Sequence, residues 1–131
     1  MIKKGDEVLT QVVIILNALV HLGFAVGEIF FTTYLLEKLF GFSSSDALKT
    51  APIAKNAGIY NSFIAAGLFW SVFAQENAFE LRLFFLICVA IAGIFGAMTL
   101  PNKDPNKKRN VKTLYLQTLP AVVVLILMFL T

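Results

Sequence analysis

The sequence predicts an all-α fold: an integral membrane four-helix transmembrane bundle, with residues 1–131 forming a single domain. Three observations predict it. Apolar residues make up 58% of the chain and charged residues only 15%, where a soluble domain carries about a quarter charged. The apolar residues gather into runs of about 20, the length at which a helix crosses a bilayer. Polar links, two of them basic, separate the runs. Lipid leaves each backbone polar group to be satisfied within its own segment, so the runs are expected to be helices.

The first span is expected at about 8–36. Lys3 and Lys4 ahead of Val8 imitate a secretory signal. Yet Asn17 and His21 interrupt the stretch, it outruns a signal's apolar region, and no small-x-small cleavage site follows, so it reads as a retained span. Its length implies tilt or an extension beyond the membrane. "GFSSSDALK" then reads as a turn and a short interfacial helix capped by Ser43, Ser44 or Ser45. A second span, about 51–74, opens with Pro52, which suits a first helical turn. The short link "QENAFE" makes the second and third spans antiparallel neighbours. The third span, about 79–100, stops at Pro101. After the basic loop "PNKDPNKKRN", the fourth covers about 112–131 and contains Pro120, which leaves the Leu116 carbonyl without its helical donor.

Basic residues divide unequally between the two ends. Lys38, Lys49, Lys55, Lys103, Lys107, Lys108, Arg109 and Lys112 fall at one end, against Lys3, Lys4 and Arg82 at the other. The positive-inside rule then puts the basic loops in the cytoplasm and both termini outside, in a multi-pass plasma-membrane protein. The net charge of +3 is small and explained by topology, so no nucleic acid is expected; lipid head groups are the natural partners of the basic loops. The lone Cys88 supports neither a disulfide, a CxxC pair nor a thiolate metal site. No cofactor or metal is expected, and no HExxH, P-loop or GxSxG is present.

Within the first span, Thr10, Asn17, His21, Glu28 and Thr32 recur at intervals of 7, 4, 7 and 4. At about 100° per residue they form one polar stripe that must face protein or water. In the second span, Asn56 and Tyr60 share a face continued by Phe63, Gly67 and Ser71, while Asn61 points elsewhere. Gly93, Gly96 and Ala97 give the third span a small-residue surface for close helix packing, and Gln117 shares a face of the fourth with Thr113 and Pro120. Counted from the cytoplasmic end at about 1.5 Å per residue, Glu28, Asn56, Tyr60 and Gln117 fall within roughly 6 Å in depth, with His21 above them. These five are the candidate ligand or proton site. An acidic group at the centre of a spanning helix costs about 2.5–3.5 kcal/mol, so chains retain one only when it is paired, neutralised or useful. His21 and Glu28 lie about 10.5 Å apart along the helix, which calls for a water or a third residue between them. Asn17 and Asn61, like Gln117 taken alone, read first as ordinary interhelical hydrogen bonders.

"VHLGFAVGEIF" around His21 and Glu28, "NAGIYNSFIAAGL" from Asn56, "AGIFGAMT" from Ala92 and "LQTLPA" from Leu116 together resemble a family of small four-span bacterial membrane proteins known only as a domain of unknown function. The resemblance implies a membrane location and supports the polar positions, but carries no activity. The family often has Gln at the position of Ala57 and Gly at that of Ser62.

Three function classes remain open. One is a small-molecule binder or proton-coupled transporter using Glu28 as the exchangeable site, an architecture similar to that of small multidrug transporters. Another is an enzyme moving a proton between His21, Glu28 and a lipophilic substrate; a single histidine and one membrane acid make a sparse kit for it. The last is a structural or regulatory subunit, with the glycine surface docking another helix or a second copy of the chain.

Overall fold

The computed structural model describes residues 4–130. Lys3, one of the basic residues at the less basic end, and Thr131, the expected end of the fourth span, lie outside them. The described chain is all helical apart from its links: α1 (Lys4–Phe30), α2 (Thr32–Phe40), α3 (Ser44–Phe73), α4 (Ala78–Thr99) and α5 (Leu119–Leu130), the last preceded by a π-helical turn, Leu114–Thr118.

The expected first span breaks at Phe31, whose backbone leaves the helical region at φ −123°, ψ 30°. Two neighbours explain the bend. The Thr32 hydroxyl donates back to the Glu28 carbonyl, competing with the helix's own amide. Gly27 leaves room for Leu35 to fold over it: a Cβ at Gly27 would lie 2.6 Å from Leu35 Cδ1. α2 then ends at Gly41, in the left-handed conformation at φ 73°, and Phe42 N–H donates to the Leu36 carbonyl at 3.1 Å.

The interfacial helix and the second span are one element of 30 residues, not two. Ser43 starts it, its hydroxyl accepting from the Asp46 amide at 3.1 Å. Pro52 therefore sits inside a helix already under way rather than opening one. Among the described residues, two helices are long and apolar enough to cross a membrane, at 5–30 and 78–99. The expected four are thus not all met by this measure. α3 carries polar residues along its first half, from Ser44 to Ser62, and the segment Leu114–Leu130 is shorter.

Ile14 and Ala18 of α1, Leu68 of α3, Leu86 and Val89 of α4, and Ala121 and Val124 of α5 form the buried core. α1 packs most extensively against α3. One end of this assembly is tied by Arg82, which donates from Nη1 to Glu7 at 3.0 Å and from Nε to the Ser71 carbonyl at 3.3 Å. At the other end the loop after α4 turns back, with Asn110 Nδ2 bonded to the Pro101 carbonyl at 3.0 Å and its amide to the Ala97 carbonyl at 3.3 Å.

The small-residue surface of α4 is covered by the chain's own C-terminal segment. Gly93, Gly96 and Ala97 are buried, and a Cβ at Gly93 would lie 2.8 Å from the Thr118 amide nitrogen and 2.9 Å from Gln117 Cβ. Threonine hydroxyls clasp the contact: Thr113 to the Gly93 carbonyl at 2.9 Å and Thr118 to the Ala90 carbonyl at 3.0 Å. In an α-helix, residues five apart diverge by about 140°, since each step turns about 100°. The π turn between them, in which Leu119 N–H bonds to the Leu114 carbonyl, brings both threonines onto α4. Pro120 follows Leu119 at the end of this turn; its missing N–H and bulky ring disfavour the tighter α pattern.

Candidate functional site

The polar stripe on α1 is buried against protein. Thr10, Asn17, His21 and Thr32 are each at most 5% exposed. What brings α3 to Glu28 is Gly58. A Cβ there would lie 3.0 Å from Glu28 Cβ, 2.8 Å from Ile29 Cγ1 and 3.2 Å from the Ala25 carbonyl oxygen, so the two backbones can be this close only because the side chain is missing. One turn further along α3, Asn61 reaches between the two residues of α1. Its Oδ1 lies 2.9 Å from His21 Nδ1 and its Nδ2 donates to Glu28 Oε2 at 2.8 Å.

A third residue thus closes the gap between His21 and Glu28, but it is not one of those assigned to the site from sequence. Asn61, expected to point elsewhere, faces α1 because Gly58, Asn61, Ala65 and Leu68 form the packed side of α3. Asn56 is exposed and lines neither of the two cavities beside the site. Tyr60 is 60% exposed and stacks edge-on with Phe63, yet also borders the cavity beside His21. Gln117 is half-buried and borders the cavity beside Glu28. The five residues therefore do not converge on one point. The signal that identifies Asn61 was present in the sequence: small residues three before and four after it, the same mark that singled out Gly93 and Gly96.

The two cavities flank this polar chain. The smaller, about 400 Å³, is bordered by His21, Asn61, Tyr60, Ile64, Val89 and Ala92. The larger, about 480 Å³, is mostly apolar and takes in Glu28, Thr113 and Gln117, with Lys112 also on its wall. Ala57 borders both. A Gln at that position would reach into the space between them.

The bonding fixes what each group offers. The amide nitrogen of Asn61 is committed to the Glu28 carboxylate, so its oxygen faces His21 and accepts from Nδ1–H. In the neutral ring this leaves Nε2 as a bare acceptor, and Nε2 is buried with no partner within the protein. Asn61 positions both ionisable groups without itself taking up or releasing a proton. The arrangement is thus an acceptor at one cavity and a carboxylate at the other, joined by an amide.

Comparison with known proteins agrees with the motifs in pointing to a family of unknown function. No curated protein and no solved structure matches the chain. The profile of a family described as "Protein of unknown function (DUF1304)" matches residues 15–129, which takes in His21, Glu28, Asn61 and the whole α4–α5 contact. The chain belongs to this family.

Proposed function

We propose that this chain is a multi-pass membrane protein, a four-helix transmembrane bundle with its basic loops cytoplasmic, that binds a small molecule beside Glu28 within the bilayer. The exposed surface supports the membrane part. Only 28% of the most apolar window of α1 and 33% of that of α4 is buried inside the protein, whereas the core helix of a soluble protein is mostly buried. Phe30, Phe84, Ile91, Phe95, Phe129 and Leu130 are among the large apolar side chains left on the outside. Water would penalise such a surface and lipid would not. α3 and the Leu114–Leu130 segment complete the bundle, and a cytoplasm-only reporter fused to the C-terminus should stay silent.

The single observation that carries the site is the bond from Asn61 to Glu28 at the wall of an apolar cavity. A carboxyl group held by one amide keeps its remaining lone pairs for a ligand or a proton, and exchange of that proton would couple binding to transport. A two-residue proton shuttle on one substrate is less well supported, because Asn61 stands between His21 and Glu28. The glycine surface of α4 gives little support to a docking subunit, being filled by α5 and the turn before it.

Native mass spectrometry of the gently extracted protein, wild type beside Glu28→Gln, tests this reading. A bound mass present in the wild type and lost from the folded variant is expected. Identical spectra with no adduct in either would sink it.

A further inference from the structure

The larger cavity has its polar group in Glu28, while the smaller one is bordered by a residue with an unused group. His21 is 2% exposed, borders that cavity, and its Nε2 has no partner in the protein. Leaving a buried acceptor unmade is costly, a penalty the chain could shed by replacing His21 with an apolar residue. Asn17 and Thr10 further along the stripe also have one unpartnered oxygen each, but neither borders either of the two cavities.

The chemistry of what would satisfy Nε2 follows from the bonds behind it. Glu28 holds the Asn61 amide nitrogen, the Asn61 oxygen holds the hydrogen on His21 Nδ1, and Nε2 is left with a lone pair. A partner must therefore donate. The remaining walls are mainly aliphatic, with Ile64, Val89 and Ala92, and the other side chains able to hydrogen-bond into the space are Tyr60 and the lone thiol Cys88. No charged side chain other than that of His21 itself borders the cavity, so it offers no counter-charge to an ion. Its volume of about 400 Å³ lies within the roughly 300–1,000 Å³ usual for small-molecule sites. Tyr60 both borders it and is 60% exposed, so the cavity communicates with the outer surface of the helices, where lipid would lie.

We propose that the cavity beside His21 is a binding site for an uncharged, apolar-bodied hydrogen-bond donor, a phenol or an alcohol, held by His21 Nε2. The proposal rests on the membrane reading above but needs no ligand at Glu28. Its own residues are His21 and Asn61, with Asn61 the positioning residue that selects the acceptor tautomer.

His21 is the only histidine in the chain, so imidazole nitrogen-15 resonances of histidine-labelled protein in lipid nanodiscs report it alone. At mildly alkaline pH the hydrogen is expected on Nδ1 and the acceptor signal on Nε2. Phenol should shift the Nε2 resonance saturably, and toluene, of similar bulk without the hydroxyl, should bind about tenfold more weakly, the worth of one hydrogen bond. In Asn61→Leu the phenol preference should collapse. A hydrogen found on Nε2 in the wild type, or phenol and toluene acting alike, would overturn the proposal even if the variant does not fold. A lost native adduct in Glu28→Gln beside an indifferent His21 would leave the Glu28 reading standing and remove this one.

Discussion

Two glycines in adjacent helices should respond oppositely to the same added methyl group. A Cβ at Gly58 would lie 2.8 Å from Ile29 Cγ1, 3.0 Å from Glu28 Cβ and 3.2 Å from the Ala25 carbonyl oxygen, whereas at Gly23 it meets nothing within 4 Å. None of the three atoms near Gly58 is the loose tip of a side chain. Relief requires α1 and α3 to move apart by several tenths of an ångström, and overpacking of this kind costs about 1–3 kcal/mol. Whatever alanine gains over glycine in helix propensity, up to about 1 kcal/mol, is common to both sites and drops out of the comparison. Gly58→Ala is therefore expected to be about 1–3 kcal/mol less stable than Gly23→Ala. Reversible unfolding in mixed dodecyl sulfate micelles reads the difference directly. The same separation should lengthen the Asn61 bonds and move the His21 nitrogen resonances in Gly58→Ala alone. Equal stabilities with an unmoved His21 would refute the idea that glycine sets the distance between these helices.

Asn61→Leu should cost about 1–3 kcal/mol in the same unfolding measurement, since it strands a half-buried carboxyl and a buried ring nitrogen. Asn56→Leu, at an exposed position, should be close to neutral. Gly93→Leu forces a side chain into the Thr118 backbone and should release the C-terminal segment, seen as protease sensitivity around residues 110–118 with α1 and α3 still protected. The Glu7–Arg82 pair joins a half-exposed carboxylate to a mostly buried guanidinium. A double-mutant cycle with Glu7→Gln and Arg82→Met is expected to give a coupling of about 0.5–1 kcal/mol that weakens as salt is raised.

Composition and periodicity made the helical class and the burial of the α1 stripe legible, because both depend on residue type and spacing along one element. A serine cap among Ser43, Ser44 and Ser45 was legible for the same local reason, and Ser43 is the one that caps. The break at Phe31 was not. It arises from Thr32 bonding back to Glu28 and from Leu35 folding over Gly27, interactions that apolar content does not encode. Counting depth placed Glu28 and Gln117 on one cavity, but it could not tell which side of α3 faces α1. Polar and aromatic residues suggested the Asn56–Tyr60 side, whereas close packing chose the side with Gly58 and Ala65. His21 and Glu28 were found from sequence; the residue that joins them was read as glue. It is glue, in the sense that it bonds two helices, and by doing so it also decides which ring nitrogen stays free.

The π turn at Leu114–Thr118 has a consequence for how the chain's length can vary. Links between helices usually tolerate gained or lost residues, because slack absorbs the change. A π turn absorbs a change without slack: it takes up one residue more than an α turn while Thr113 and Thr118 stay in phase with two carbonyls of the same neighbouring helix. Removing one residue while the segment relaxes into an ordinary α-helix would leave the two threonines four apart, diverging by only about 40°, so the flanking stretches would keep nearly the same phase. Both threonines would still face α4, and Gln117, next to the second of them, would stay at the cavity wall. Single-residue deletions at 114–116 should therefore be tolerated about as well as deletions in the loop at 102–109, because the deletion restores regular helix geometry without breaking the phase. A residue can thus be lost from this stretch without changing which face of the helix meets α4.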